Sequence, residues 1–130
     1  MWQAAPGQSL LMPSGPSGNH LFFVILGPIQ LDNRGSTPQV LTVSVTSIKP
    51  DLPFDDACVL KVGDHPFIQH DSYVAYRHLR IDPLPHVERL VQSGVWQPHT
   101  PCSPELLERI IRGVHLSRMT SRENKKIFGG

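Results

Sequence analysis

The chain has 130 residues, of which 39% are hydrophobic and 18% charged, and its formal net charge is +1. That length supports one domain, 1–130, with a hydrophobic core of its own, so no metal or disulfide is needed merely to hold it together. The near-neutral balance excludes a global field that would draw in nucleic acid or an acidic surface, no apolar run approaches the roughly 20 residues of a membrane span, and two cysteines exclude a disulfide scaffold.

The stretch from Met1 to Pro13 has no basic region ahead of a long apolar one. It is therefore not expected to be a secretory signal, and Cys58 and Cys102 are expected to be reduced thiols in a cytoplasmic protein with no membrane partner. Ser9-Leu-Leu-Met12 fits a short first strand, followed by a turn-rich Gly/Pro/Ser loop over 13–19. His20–Leu26 is a continuous apolar run stopped by Gly27-Pro28, which predicts a central strand buried on both faces. Residues 32–38 form a polar connection. Gln39–Ser47 alternates, with Val40, Thr42, Ser44 and Thr46 on one face and Leu41, Val43 and Val45 on the other, as a strand with one wet face does. After a proline-punctuated loop, strands are expected at 57–62 and 71–77, the latter extending towards Ile81. The pattern then changes to helical spacing. Pro85–Gln92 reads as a short helix ended by Gly94. Ser103–Arg112 reads as the best helix, with Ser103 as N-cap, Pro104 at the first position, a stripe of Leu106, Leu107, Ile110 and Ile111, and Gly113 as its stop. Five strands followed by two helices, punctuated by 13 prolines, predict an α+β fold: a small, strongly bent antiparallel barrel over about 7–82, a helical part over 85–116, and a basic tail over 117–130. Toward the end of the chain Arg109, Arg112, Arg118, Arg122, Lys125 and Lys126 outnumber Glu105, Glu108 and Glu123, which fits either a solvated tail or a phosphate-contacting patch.

The densest polar cluster runs from Lys61 to Tyr76. His65 and His70 are its acid–base candidates, because imidazole passes protons near neutral pH. A plainer role for His65 is to hydrogen-bond the backbone of the turn that Gly63-Asp64 makes. Cys58, Asp64, His65 and His70 offer an alternative as metal ligands, though their spacing matches no zinc pattern. Thr46-Ser47, at a strand end, places two hydroxyls where a phosphate or a reacting oxygen could be held; more often such residues satisfy a turn. His20 stands at the head of the apolar strand, where the plain reading is an exposed strand-start residue. Nucleophile-elbow, P-loop, dinucleotide-binding and His-Glu-x-x-His patterns are absent from the sequence.

The order of these elements, the apolar strand after a loop, the strand ending in Thr46-Ser47, and Asp71-Ser-Tyr-Val74 leading to Leu79-Arg-Ile-Asp82 resemble the MazF/PemK family of toxin endoribonucleases over about residues 7–116. The resemblance implies an SH3-like barrel, single-stranded RNA as substrate, no cofactor, a homodimer and a cognate antitoxin. By position Thr46 and Ser47 match the family's Thr-Ser, and His20 stands where its arginine would. RNA cleavage without a metal needs a base for the 2′-hydroxyl proton, an acid for the leaving oxygen and donors for the phosphorane charge. His20 and His65 are the expected base and acid, with Thr46, Ser47 and Lys61 as charge-stabilising donors. Tyr73 or Tyr76 is expected to stack a base, and His70 and Arg77 to contact substrate. The alternative is a non-enzymatic module on the same barrel that binds nucleic acid or protein.

Overall fold

The computed structural model describes residues 2–13 and 18–129. The loop expected over 13–19 lies largely outside the described residues. The long strands β2 (Asn19–Ile29), β3 (Gln39–Ser47) and β5 (Ser72–Pro83) form where β-branched and aromatic residues run together, and the short strands β1 (Ser9–Pro13), β4 (Val59–Leu60) and β6 (Gln97–His99) pair alongside them. They make a single sheet in the order β4-β5-β3-β2-β1-β6, with every pairing antiparallel. The helices are α1 (Leu84–Gln92), α2 (Pro104–Leu116) and α3 (Arg122–Ile127). The fold is α+β, as expected, with the sheet curled into a half-barrel.

The curl has local causes. Thr42 pairs with Arg80 while Ser44 pairs with Ala75, so Tyr76 to Leu79 of β5 stand against Val43 alone. Extra residues on one strand bend it and increase its twist. The register also shifts in β2, which does not stop at Gly27-Pro28 but runs on to pair Ile29 with Gln39. Gly27 has a φ of 119°, and a Cβ there would stand 2.5 Å from the Gln39 carbonyl oxygen. Glycine thus lets two backbones close up here rather than ending the strand.

Both faces of the sheet are covered. On one, Leu21, Phe23 and Ile25 meet Leu41, Val43 and Val45, and Leu106, Ile110 and Val114 of α2 complete the cluster. On the other, Leu10, Met12, Phe22, Val24 and Val40 pack with Val87 of α1 and Trp96. The central position of β2 agrees with its apolar run. The expected wet face of β3 does not hold: Thr42 and Ser44 are buried, because α1 and Trp96 cover the side of the sheet that alternation assigned to solvent.

Three C-terminal expectations also change. Ser103 caps α2 as expected, accepting from Leu106 N–H at 3.1 Å, but the helix continues through Gly113 to Leu116. Gly113 is where Tyr76 crosses the helix: a Cβ would overlap the tyrosine hydroxyl and lie 2.7 Å from its Cζ. The Tyr76 hydroxyl donates to the Ile110 carbonyl at 2.6 Å. The connection between α1 and α2, expected to hold no regular element, contains β6, an edge strand on β1. The basic tail contains α3, and Ile127 and Phe128 pack against the core instead of trailing in solvent.

Candidate functional site

β2 begins and β3 ends at the same edge of the half-barrel. Phe22 pairs with Ser44, and continuing that antiparallel register by two residues sets His20 beside Thr46. The loop after β4 closes the third side. The resulting groove, about 420 Å³, is lined by His20, Thr46, Ser47, Lys49, His70 and Ser72, with Phe67 and Gln69 on the loop side. His20 is half-buried and His70 exposed. The Nδ1 of His20 is buried without a hydrogen-bond partner among the described residues. Lys49 is exposed and makes no salt bridge among them. The site therefore holds two imidazoles, two hydroxyls at a strand end and one cation. That set can move a proton and hold an anion.

His65 is not in this groove. It is only 3% exposed, and both of its ring nitrogens are engaged. Nε2–H donates to the Thr100 carbonyl at 2.6 Å, and Nδ1 accepts from Phe67 N–H at 3.1 Å. The ring stands edge-on to Phe23, with centroids 5.3 Å apart. Its plain role, a bond to backbone, is the one the structure gives. The imidazole ties the 63–70 loop to the segment after β6, where Ser9 Oγ–H also donates to the Thr100 carbonyl. His65 thereby fixes the loop that carries Phe67, Gln69 and His70, without reaching a substrate itself.

This arrangement favours neutral His65. Burial lowers its pKa below the usual histidine value, a shift the Thr100 bond partly offsets and nearby His99 reinforces. A second proton would sit on Nδ1, facing the Phe67 N–H. Unfolded His65 titrates near about 6.5, so below that pH the unfolded chain binds the proton more readily than the folded one. The stabilisation is therefore complete above that pH and is lost as pH falls through the lowered folded value. The urea midpoint of the protein is expected to fall between pH 7.5 and pH 5, and to fall less in His65→Gln. Equal falls in the two proteins would contradict the linkage.

The other expected residues divide. Thr46, Ser47, His20 and His70 come together. Tyr76 does not: it is buried beneath α2, so it cannot stack a base, and burial raises its pKa. Lys61 lies outside the groove and is exposed, 3.9 Å from Asp71, a pair worth little in water. Tyr73 and Arg77 line a second, larger groove of about 600 Å³ on the neighbouring stretch of β5, together with Phe54, His78, Arg118 and Met119. The larger groove is not the one that holds the imidazoles. Thr46 pairs with Tyr73 across β3 and β5, so the two grooves adjoin at that pair.

The alternative metal site fails on geometry. No group of three or more His, Cys, Asp or Glu side chains is placed to hold a metal among the described residues. Cys58 is buried, and burial raises its pKa, which disfavours the thiolate a metal would need. Asp64 accepts from Lys61 N–H at 2.8 Å and faces Arg109 at 3.4 Å, while His65 has no free nitrogen. Cys58 and Cys102 are both free thiols. Among the described residues, no helix is long and apolar enough to cross a membrane.

Lys49, Phe67, Gln69 and Ser72 line the groove without having been among the expected site residues. Lys49 had a usable signal: a cation two residues beyond the Thr46-Ser47 strand end, just before Pro50. Gln69 had none, since its placement depends on the His65 tie. Neither a family model nor a curated protein matches this chain.

Proposed function

We propose that this chain is the RNA-cleaving toxin of a toxin–antitoxin pair, built on a small SH3-like barrel and acting on single-stranded RNA without a cofactor. The observation that carries the reading is the convergence of His20, Thr46, Ser47, Lys49 and His70 on one groove where β2 begins and β3 ends. The Thr-Ser strand end is also a position at which the sequence resembles the MazF/PemK toxins, and His20 stands where their arginine would. A homodimer and a cognate antitoxin belong to the same reading.

In this mechanism the 2′-oxygen of the substrate bonds to the adjacent phosphorus and the P–O5′ bond breaks. The products are a 2′,3′-cyclic phosphate and a 5′-hydroxyl. His20 takes the 2′-hydroxyl proton on Nε2, its Nδ1 being buried. His70, exposed and lining the same groove, gives a proton to O5′. Thr46 and Ser47 donate hydrogen bonds to the phosphorane oxygens, and Lys49 offsets their charge.

The test is cleavage of total RNA by the pure protein in EDTA, with His20→Ala alongside. The parent is expected to cut and the variant to leave the RNA intact. A parent that neither cuts nor binds RNA would overturn the reading in favour of a binding module with another ligand. Should cutting persist in His20→Ala, the acid–base assignment is wrong.

A further inference from the structure

The larger groove has no role in the mechanism just described, yet it is built with care. Its two lips are tied together from beneath. The Ser117 hydroxyl, 1% exposed at the end of α2, donates to Asp55 Oδ2 and accepts from Met119 N–H at 3.0 Å. Asp55 Oδ1 accepts from Ala57 N–H at 3.1 Å. This buried knot fixes Phe54, one residue before Asp55, against Arg118, one residue after Ser117. Phe54 leans on Tyr73 with ring centroids 5.5 Å apart. Arg77 and Arg118 are exposed, and neither has a carboxylate partner among the described residues. Of the two acids in the groove, Asp55 is turned inward by the knot and Asp56 remains exposed.

We propose that this groove is a nucleotide subsite: it holds the nucleotide next to the scissile phosphate, with the base against Phe54 and Tyr73 and a phosphate between Arg77 and Arg118. The proposal rests on the RNA reading of the smaller groove. His20, Thr46 and Tyr73 stand in one row across β2, β3 and β5. Adjacent strands are about 4.8 Å apart, so the row spans about 10 Å, the reach of a neighbouring nucleotide. An aromatic pair beside two unpaired guanidiniums is the combination that single strands use, a stacking surface with cations along the backbone. Met119, 52% exposed, and Leu116, 63% exposed, add apolar surface on the side of the base. The same surface would also suit an acidic protein segment. Continuity with the imidazole groove through the Thr46–Tyr73 pair favours RNA.

The experiment measures binding of a fully 2′-O-methylated single-stranded RNA oligonucleotide, which cannot be cleaved by its own 2′-oxygen, by anisotropy over a salt series. Tyr73→Leu and Phe54→Ala are each expected to weaken binding about 5- to 100-fold, the range of one lost base–aromatic stack. Arg77→Gln with Arg118→Gln is expected to make the log–log salt slope shallower by about 0.7, one phosphate contact on a single strand. Circular dichroism checks that each variant is folded, and Phe54, Arg77 and Arg118 are exposed enough that their loss leaves the core intact. If the parent cuts RNA but all variants bind the oligonucleotide as it does, the subsite is wrong and the RNA reading stands. If the parent neither binds nor cuts, both fall. Substitutions that change self-association or capture of an acidic peptide, with RNA affinity unchanged, would assign the groove to a protein and overturn the proposal.

Discussion

Gly113→Ala is expected to destabilise the protein by about 1–3 kcal/mol, although alanine is the better helix former by about 1 kcal/mol. The added Cβ would overlap the Tyr76 hydroxyl and come within 3.1 Å of Cε2, so the ring has to move. Tyr76 cannot move cheaply. It is 1% exposed, its hydroxyl donates to Ile110 O at 2.6 Å, and it packs in the cluster that joins α2 to the sheet. Overpacking a core costs about 1–3 kcal/mol, and losing this hydrogen bond adds about 1 kcal/mol. The strain outweighs the propensity gain. Tyr76→Phe alone is expected to cost about 1–2 kcal/mol, because the buried Ile110 carbonyl loses this side-chain donor. In the double variant Gly113→Ala with Tyr76→Phe, the two effects should be less than additive, since removing the hydroxyl removes the worst overlap. Urea midpoints of the four proteins measure this. Additive losses would show that the tyrosine and glycine do not meet.

The second large effect concerns rate. Alanine at His20 or His70 is expected to slow single-turnover RNA cleavage about 10²–10⁴-fold, the usual contribution of a general acid or base, with RNA affinity nearly unchanged. Among the described residues neither imidazole makes a hydrogen bond to the rest of the fold. His20→Leu removes a buried nitrogen that has no partner among the described residues, so its urea midpoint should match or exceed the parent's while cleavage is lost. His65→Ala should behave in the opposite way. Phe67 N–H would lose its acceptor and a cavity would open beside Phe23, together costing about 2–4 kcal/mol. Any loss of cleavage in His65→Ala would then track its lower stability and recover when the protein is assayed well below its unfolding temperature. A His65→Ala protein with parental stability and no activity would place His65 in the chemistry instead.

Much of the sheet was legible in the sequence because its signals are local. The apolar run His20–Leu26 and the alternation of Gln39–Ser47 fixed two neighbouring strands, and their shared edge brought His20 to Thr46. Ser103, Pro104 and the Leu106/Ile110 spacing fixed the start of α2. The errors came where a distant contact overrode a local one. Gly27 and Gly113 carry the usual signals of an ending, yet both are places of close approach, to Gln39 and to Tyr76. Ser44 and Thr42 look like a wet face, and only the packing of α1 and Trp96 buries them. His65 could not be separated from His70 by composition. A backbone carbonyl 35 positions away, at Thr100, decided which of them is structural. The division of the tyrosines, by contrast, follows from strand alternation: Tyr76 shares a face with Val74 in the cluster under α2, while Tyr73, three residues earlier, lies on the opposite face beside Thr46.

RNA cleavage through the substrate's own 2′-hydroxyl is tested most directly with two oligonucleotides of one sequence. One is all-ribose and the other all-deoxyribose, each end-labelled and incubated with the pure protein in EDTA. The account predicts that the ribose strand is cut to fragments ending in a 2′,3′-cyclic phosphate and that the deoxyribose strand remains whole. Cleavage of both strands, or of neither across a range of sequences, would contradict it.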